Sequence, residues 1–153
     1  MEKVIMTVLV TCSTIFALGP YTDNGNGTVT DQSNNLVWQK CSMGLNNDTT
    51  CSGSATTATF LNALTYCQGL ALAGRTWRLP NVNEIGNLLD YTVSVTPLIN
   101  TTLFPGTIAL AYASSTTDTS TPANAWGVAF GTGTIYSITK VTGNYVRCVA
   151  SGP

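Results

Sequence analysis

Histidine is absent from this 153-residue chain. That removes the side chain most often used as a general base, the Ser-His-Asp and Cys-His nucleophile pairs, and the commonest zinc ligand. Charge is scarce as well: 8% of residues are Asp, Glu, Lys or Arg, against about 25% in an ordinary soluble domain. Six Lys and Arg against seven Asp and Glu leave a net charge of −1, with the basic residues scattered. Such a chain offers nucleic acid no electrostatic footprint. None of the five cysteines stands in a C-x-x-C pair, and without histidine a zinc site needs four well-placed thiolates. No catalytic residue, metal or cofactor is therefore expected, and the chain reads as a non-enzyme. The one long apolar run, residues 4–18, is too short for a stable membrane span.

What is present fits one exported domain. The length suffices for a core, and Ser, Thr, Asn and Gly fill the surface positions that charges usually occupy. Residues 1–19, "MEKVIMTVLVTCSTIFALG", place one Lys before the apolar run and small residues near its end, the pattern of a secretory signal peptide. Pro20 is a poor residue after a cleavage site, and the β-branched "VIMTVLV" also suits a retained strand. A weak lipobox surrounds Cys12. Residues 20–153 then form the domain proper. Export favours disulfides. The four remaining cysteines allow three connectivities, of which Cys41–Cys51, a local staple, and Cys67–Cys148, tying the middle of the chain to its end, are favoured.

Along the chain, "DNGNGTVTD" supplies turn residues before a strand at "NLVWQK". A calcium loop is the alternative for "DNGNG", but its spacing is not that of an EF-hand. Residues 41–56 read as a polar loop. Phe60, Ala63, Leu64 and Cys67 recur at helical spacing, predicting a helix over 57–69 with the cysteine turned inward. A second helix begins after Pro80, with Asn81 as N-cap, Glu84 completing a capping box, and Val82, Ile85, Leu88 and Leu89 on the buried face. Arg75 and Arg78 flank Trp77 on a short strand and are expected to pair with Glu84 or Asp90. Strands follow near 108–114, 125–130, 134–138 and 144–150. Helices followed by strands make the fold class α+β.

"YTDNGNGTVTD" with "NLVWQKC", then "WRLPNVNEIGNLLDY", "AWGVAF" and "YVRCV", together resemble the Legionella collagen-like protein C-terminal domain (Lcl C-terminal domain) family, in the family's order across residues 21–149. The resemblance implies a C-type-lectin-like fold, two helices on a small twisted antiparallel sheet with the N- and C-terminal strands adjacent. It also supports Cys67–Cys148, since that fold often joins the first helix to the last strand. It implies a bacterial, secreted or cell-surface location and a binding role, its characterised members being similar to adhesins for sulfated polysaccharides.

The chain departs from the family where an aromatic "YWSS" is common: it has "AYASSTT", with Ala113 in place of Trp. In "AWGVAF", Trp126, Val128 and Phe130 are expected to face the core, leaving Gly127 and Ala129 outward. Arg147 reads as a structural ion pair. The exposed ligand-binding candidates are Tyr112, Ser114, Ser115, Thr134, Tyr136, Ser137 and Lys140. Two functions are expected from these readings. One is a non-catalytic adhesion module for an extracellular polysaccharide or protein surface. The other is a structural subunit of a secreted filament or surface assembly, in which the N-terminal strand mediates self-association by pairing with a neighbour's sheet.

Overall fold

The computed structural model describes residues 21–152. The leader or arm at 1–19 and Cys12 lie outside the described residues. Eleven elements follow in order: β1 (Tyr21–Asp23), β2 (Thr28–Asp31), β3 (Leu36–Gln39), β4 (Thr57–Ala58), α1 (Phe60–Gln68), α2 (Val82–Gly86), β5 (Ala111–Thr117), β6 (Asn124–Ala129), β7 (Thr134–Thr139), β8 (Asn144–Tyr145) and β9 (Val149–Ser151). The result is a mixed α+β domain, mostly sheet, with two helices and two disulfides, Cys41–Cys51 and Cys67–Cys148.

The strands form two sheets where one was expected. A four-stranded sheet runs β1-β2-β3-β9 and a five-stranded sheet β4-β8-β5-β6-β7. The segment predicted as a single strand over 144–150 is what separates them. Its start pairs with β4 and, in parallel, with β5, while its end pairs with β3. The C-terminal strand therefore lies beside β3, and β1 occupies the far edge.

Each sheet neighbour is explained by alternation. In β3 and β9 successive side chains point to opposite faces, and both faces are covered. Trp38 and Val149 enter one core with Val29, Ile85, Phe104, Tyr112, Val128 and Phe130. Val37, Cys148 and Ala150 enter a second core with Ala63, Cys67, Trp77 and Leu79. The Cys67–Cys148 bridge thus fastens α1 to the residue just before β9 inside the second core.

α1 starts at Phe60, three residues later than predicted. Thr57 and Ala58 pair instead with Tyr145 and Asn144, and the Phe60 N–H donates to the Lys140 carbonyl at 2.9 Å. Backbone pairing with a distant strand overrides a helical pattern at its weak, β-branched end. The corner after Pro80 forms as read. The Asn81 side chain accepts from the Glu84 N–H, and the Glu84 carboxylate accepts from the Asn81 N–H. That carboxylate also takes both guanidinium branches of Arg78 at 2.7 Å. Burial pushes the Glu84 carboxyl up, but the bonds from Arg78 and Asn81 outweigh it and hold it below its ordinary range. Arg75 takes a different partner, the Ser151 carbonyl, and Asp90 accepts from Thr92. The strand expected around Trp77 reduces to one bridge, Arg78 to Val149. α2 itself is five residues long, so Leu88 and Leu89 pack from the turn beyond it.

Candidate functional site

Of the seven candidate residues, the structure withdraws two from solvent. Tyr112 is fully buried; its hydroxyl accepts from the Ile108 N–H at 3.1 Å and shares a 2.7 Å hydrogen bond with Ser42. Ser114 is fully buried too, donating to the Trp126 carbonyl. Tyr112 faces the core it shares with Trp38, Ile85, Val128 and Phe130, and Ser114 is tied to the backbone of β6. Ser137 and Lys140 are half-buried and already engaged. Ser137 donates to Asp118 and accepts from Asn124, while the Lys140 ammonium donates to Thr117 and the Pro122 carbonyl and lies 4.9 Å over Phe60. Ser115 is half-buried, its N–H on the Pro80 carbonyl. Thr134 and Tyr136 remain exposed, and the structure brings these two together.

Their surroundings follow from register. β6 pairs with β5 and β7 so that Ala111, Ala129 and Thr134 stand side by side, with Gly127 and Tyr136 next along the same face. Directly opposed residues of an antiparallel ladder share a face. The small residues make a flat floor, and Leu110 and Tyr136 stand up at its sides, 58% and 42% exposed. Two shallow depressions, about 390 and 280 Å³, share Leu110, Ala111 and Tyr136; the first adds Thr134 and Gly131, the second Thr57 and Asn144. No Lys, Arg, Asp or Glu lines either one.

Gly127 does face this side, but it is not open. A side chain there would meet Ile138 at 2.7 Å and the Tyr112 carbonyl at 3.1 Å, so the glycine is what lets Ile138 fold over the strand. Trp126 departs from expectation. It shares a face with Val128, yet it is half-buried and belongs to neither core, because that face runs out into the polar group of Asn124, Ser137 and Asp118. Sequence reading placed Ala129 outward but missed Leu110, Ala111 and Gly131 as surface-builders. Alternation gives parity, and nothing in these small residues signals which face stays open.

Other features are structural in character. The "DNGNG" turn carries an internal cation: the buried Lys40 ammonium lies 2.6 Å from Asp23. Among the described residues there is no group of three or more His, Cys, Asp or Glu arranged for a metal. A cleft of about 530 Å³ opens between Tyr21, Asp90, Tyr91, Asn100 and Phe104. Its polar groups are spent inward: Tyr21 donates to the Asn87 carbonyl, Tyr91 to the Gly133 carbonyl, and Asn100 accepts from Thr102 and Leu103. Burial, with Asp31 and Asp90 nearby, pushes the Tyr21 phenol up to about 12.

Arg147 is not an ion pair. It is fully buried, with one guanidinium nitrogen on Ser42 and Thr107 and the group 4.8 Å from the Phe104 ring. Its Nε and second terminal nitrogen have no partner among the described residues, and burial lowers its pKa.

Comparison with curated proteins found no match. A family model, the Lcl C-terminal domain, matches residues 27–150, from the turn before β2 into β9, and so takes in every strand but β1, both helices and both disulfides. The chain belongs to the Lcl C-terminal domain family.

Proposed function

We propose that this domain is a non-catalytic, extracellular bacterial binding module of C-type-lectin-like architecture, and that it contacts its target through the open face of β5, β6 and β7. The target is an extended, uncharged stretch of polysaccharide or protein surface. The observation that carries the reading is the groove itself: a flat Ala and Gly floor between Leu110 and Tyr136, with no charged residue in its lining. An aromatic ring beside small residues suits the apolar face of a sugar ring or an extended peptide.

The cations argue against an anionic polymer as the main ligand. Among the described residues, Lys40 and Arg78 are ion-paired, Arg147 is buried, Lys140 is held by Thr117 and Pro122, and Arg75 is on a carbonyl. Sulfate recognition needs free cations close together. This reading parts from the sulfated ligands that the family resemblance suggests.

The test is binding of the full chain to neutral and to sulfated polysaccharides at low and high salt, with Tyr136→Ala alongside. Salt-insensitive binding to a neutral polymer that weakens at least tenfold in Tyr136→Ala is expected. Binding to heparin alone, abolished by salt, overturns the reading. A structural role in a secreted assembly is a second reading, favoured by the free edge of β7.

A further inference from the structure

Among the described residues, β7 is an unguarded sheet edge. The other edge strands, β1, β4 and β9, run three, two and three residues. β7 runs six, "TIYSIT", exposed or half-buried throughout, with neither charge nor proline. Proteins normally blunt such an edge by shortening it, charging it, bulging it or covering it. None of these devices is present in β7, whose register with β6 is continuous from Thr134 to Thr139.

The backbone shows which groups are free. The Lys140 N–H donates to the Ala123 carbonyl at 3.1 Å, continuing the β6–β7 register. Bonding direction alternates along an antiparallel strand, so Thr134, Tyr136 and Ile138 bond inward to β6. Ile135 and Ser137 present N–H and C=O to the outside.

We propose that a second copy of this chain pairs with β7, antiparallel, about a twofold axis at Tyr136. Ile135 then exchanges both backbone hydrogen bonds with Ser137 of the other copy, and Ser137 with its Ile135, giving four bonds from the free groups. Tyr136 meets its own counterpart across a non-hydrogen-bonded position, where side chains approach most closely. Thr134 faces Ile138. A twofold contact must be self-complementary, and this strand is so because it carries no charge to repel its copy. The Lys140 ammoniums end about 27 Å apart, at about 3.4 Å per residue over eight residues, well beyond the screening length of about 8 Å. The Asp118 carboxylate is turned onto Ser120 and Ser137 and withdrawn from solvent.

The pairing fuses two five-stranded sheets into one of ten strands. It sets the two grooves edge to edge with a pair of Tyr136 rings between them, so each copy contributes a residue to the other's contact face. It stands on the edge geometry and does not require the proposed ligand.

The test is particle mass by light scattering and sedimentation on the full, oxidised chain between about 1 and 300 µM, with hydrogen exchange at both limits. A dimer is expected, with the Ile135 and Ser137 amides exchanging at least tenfold more slowly at high concentration while Asp23, whose amide faces outward on the β1 edge, is unchanged. Tyr136→Lys places two ammoniums on the axis and is expected to weaken the dimer at least thirtyfold. Ile135→Pro deletes an outward donor, leaves the inward ladder whole, and is expected to give a monomer. If Ile135→Pro fails to fold, Tyr136→Lys decides, since its inward backbone bonds are untouched. A wild-type monomer at 300 µM, an open series of larger oligomers, or a dimer that survives Tyr136→Lys overturns the proposal.

Discussion

Removing the two disulfides one at a time is expected to cost unequal amounts, and the inequality follows from where they lie. Cys67 and Cys148 are 81 residues apart; Cys41 and Cys51 are 10 apart. In the chain-entropy model the longer closure stabilises by roughly 4.5 kcal/mol and the shorter by roughly 2.7 kcal/mol. All four cysteines are buried, and each double substitution to Ala removes two sulfur atoms, so packing losses largely cancel in the comparison. The difference left is about 1.8 kcal/mol, more than tenfold in the unfolding constant. The measurement is urea unfolding of Cys67→Ala/Cys148→Ala and Cys41→Ala/Cys51→Ala under oxidising conditions, with the slopes compared to confirm a common denatured state. The long-loop variant is expected to be the weaker by between about 1 and 3 kcal/mol. Equal losses, or a larger loss from the short loop, would refute the reasoning, for the Cys67–Cys148 bridge would then add nothing beyond local constraint.

Two further outcomes test the interior. Glu84→Gln is expected to cost about 1 kcal/mol at pH 7, given a partner, Arg78, that is partly exposed. Because the folded pKa is depressed, that contribution is present above the unfolded value of about 4.3 and is lost as pH falls through the folded one. The gap between wild type and variant should close in acid, and a gap unchanged at pH 2.5 in thermal melts contradicts it. Arg147→Met is expected to match or exceed wild-type stability, since it removes a buried, unpaired cation while Ser42 keeps Tyr112 and Thr107 keeps the Phe104 carbonyl. Arg147→Ala leaves a void and should lose about 2–4 kcal/mol. A loss above about 2 kcal/mol in Arg147→Met, by urea unfolding, would show that the guanidinium is paired after all.

The parts of this fold legible in advance are those decided within a few residues. The capping box needs only Asn81 and Glu84, three apart. The strand at Leu36–Gln39 and the turn before it need only neighbouring residues, although Thr28–Asp31, read as part of the turn, pairs as β2, and the Cys41–Cys51 loop is closed by its own neighbours. The inward turn of Cys67 on α1 follows from helical period alone.

The candidate surface was only half legible. Thr134 and Tyr136 were placed rightly on an open strand, whereas Tyr112 and Ser114 were not, since alternation assigns residues to two faces without saying what lies over each.

Local features were already written in the chain: caps, turns, helical faces, the short staple and the shortage of charge. Long-range packing set the two sheets, the crossing of residues 144–151 between them, and the groove between Leu110 and Tyr136. The physical reason is separation along the chain. Those features depend on pairings such as Thr57 with Tyr145 and Trp38 with Val149, which no short stretch can specify and which form only when distant backbone groups find each other in the collapsed core.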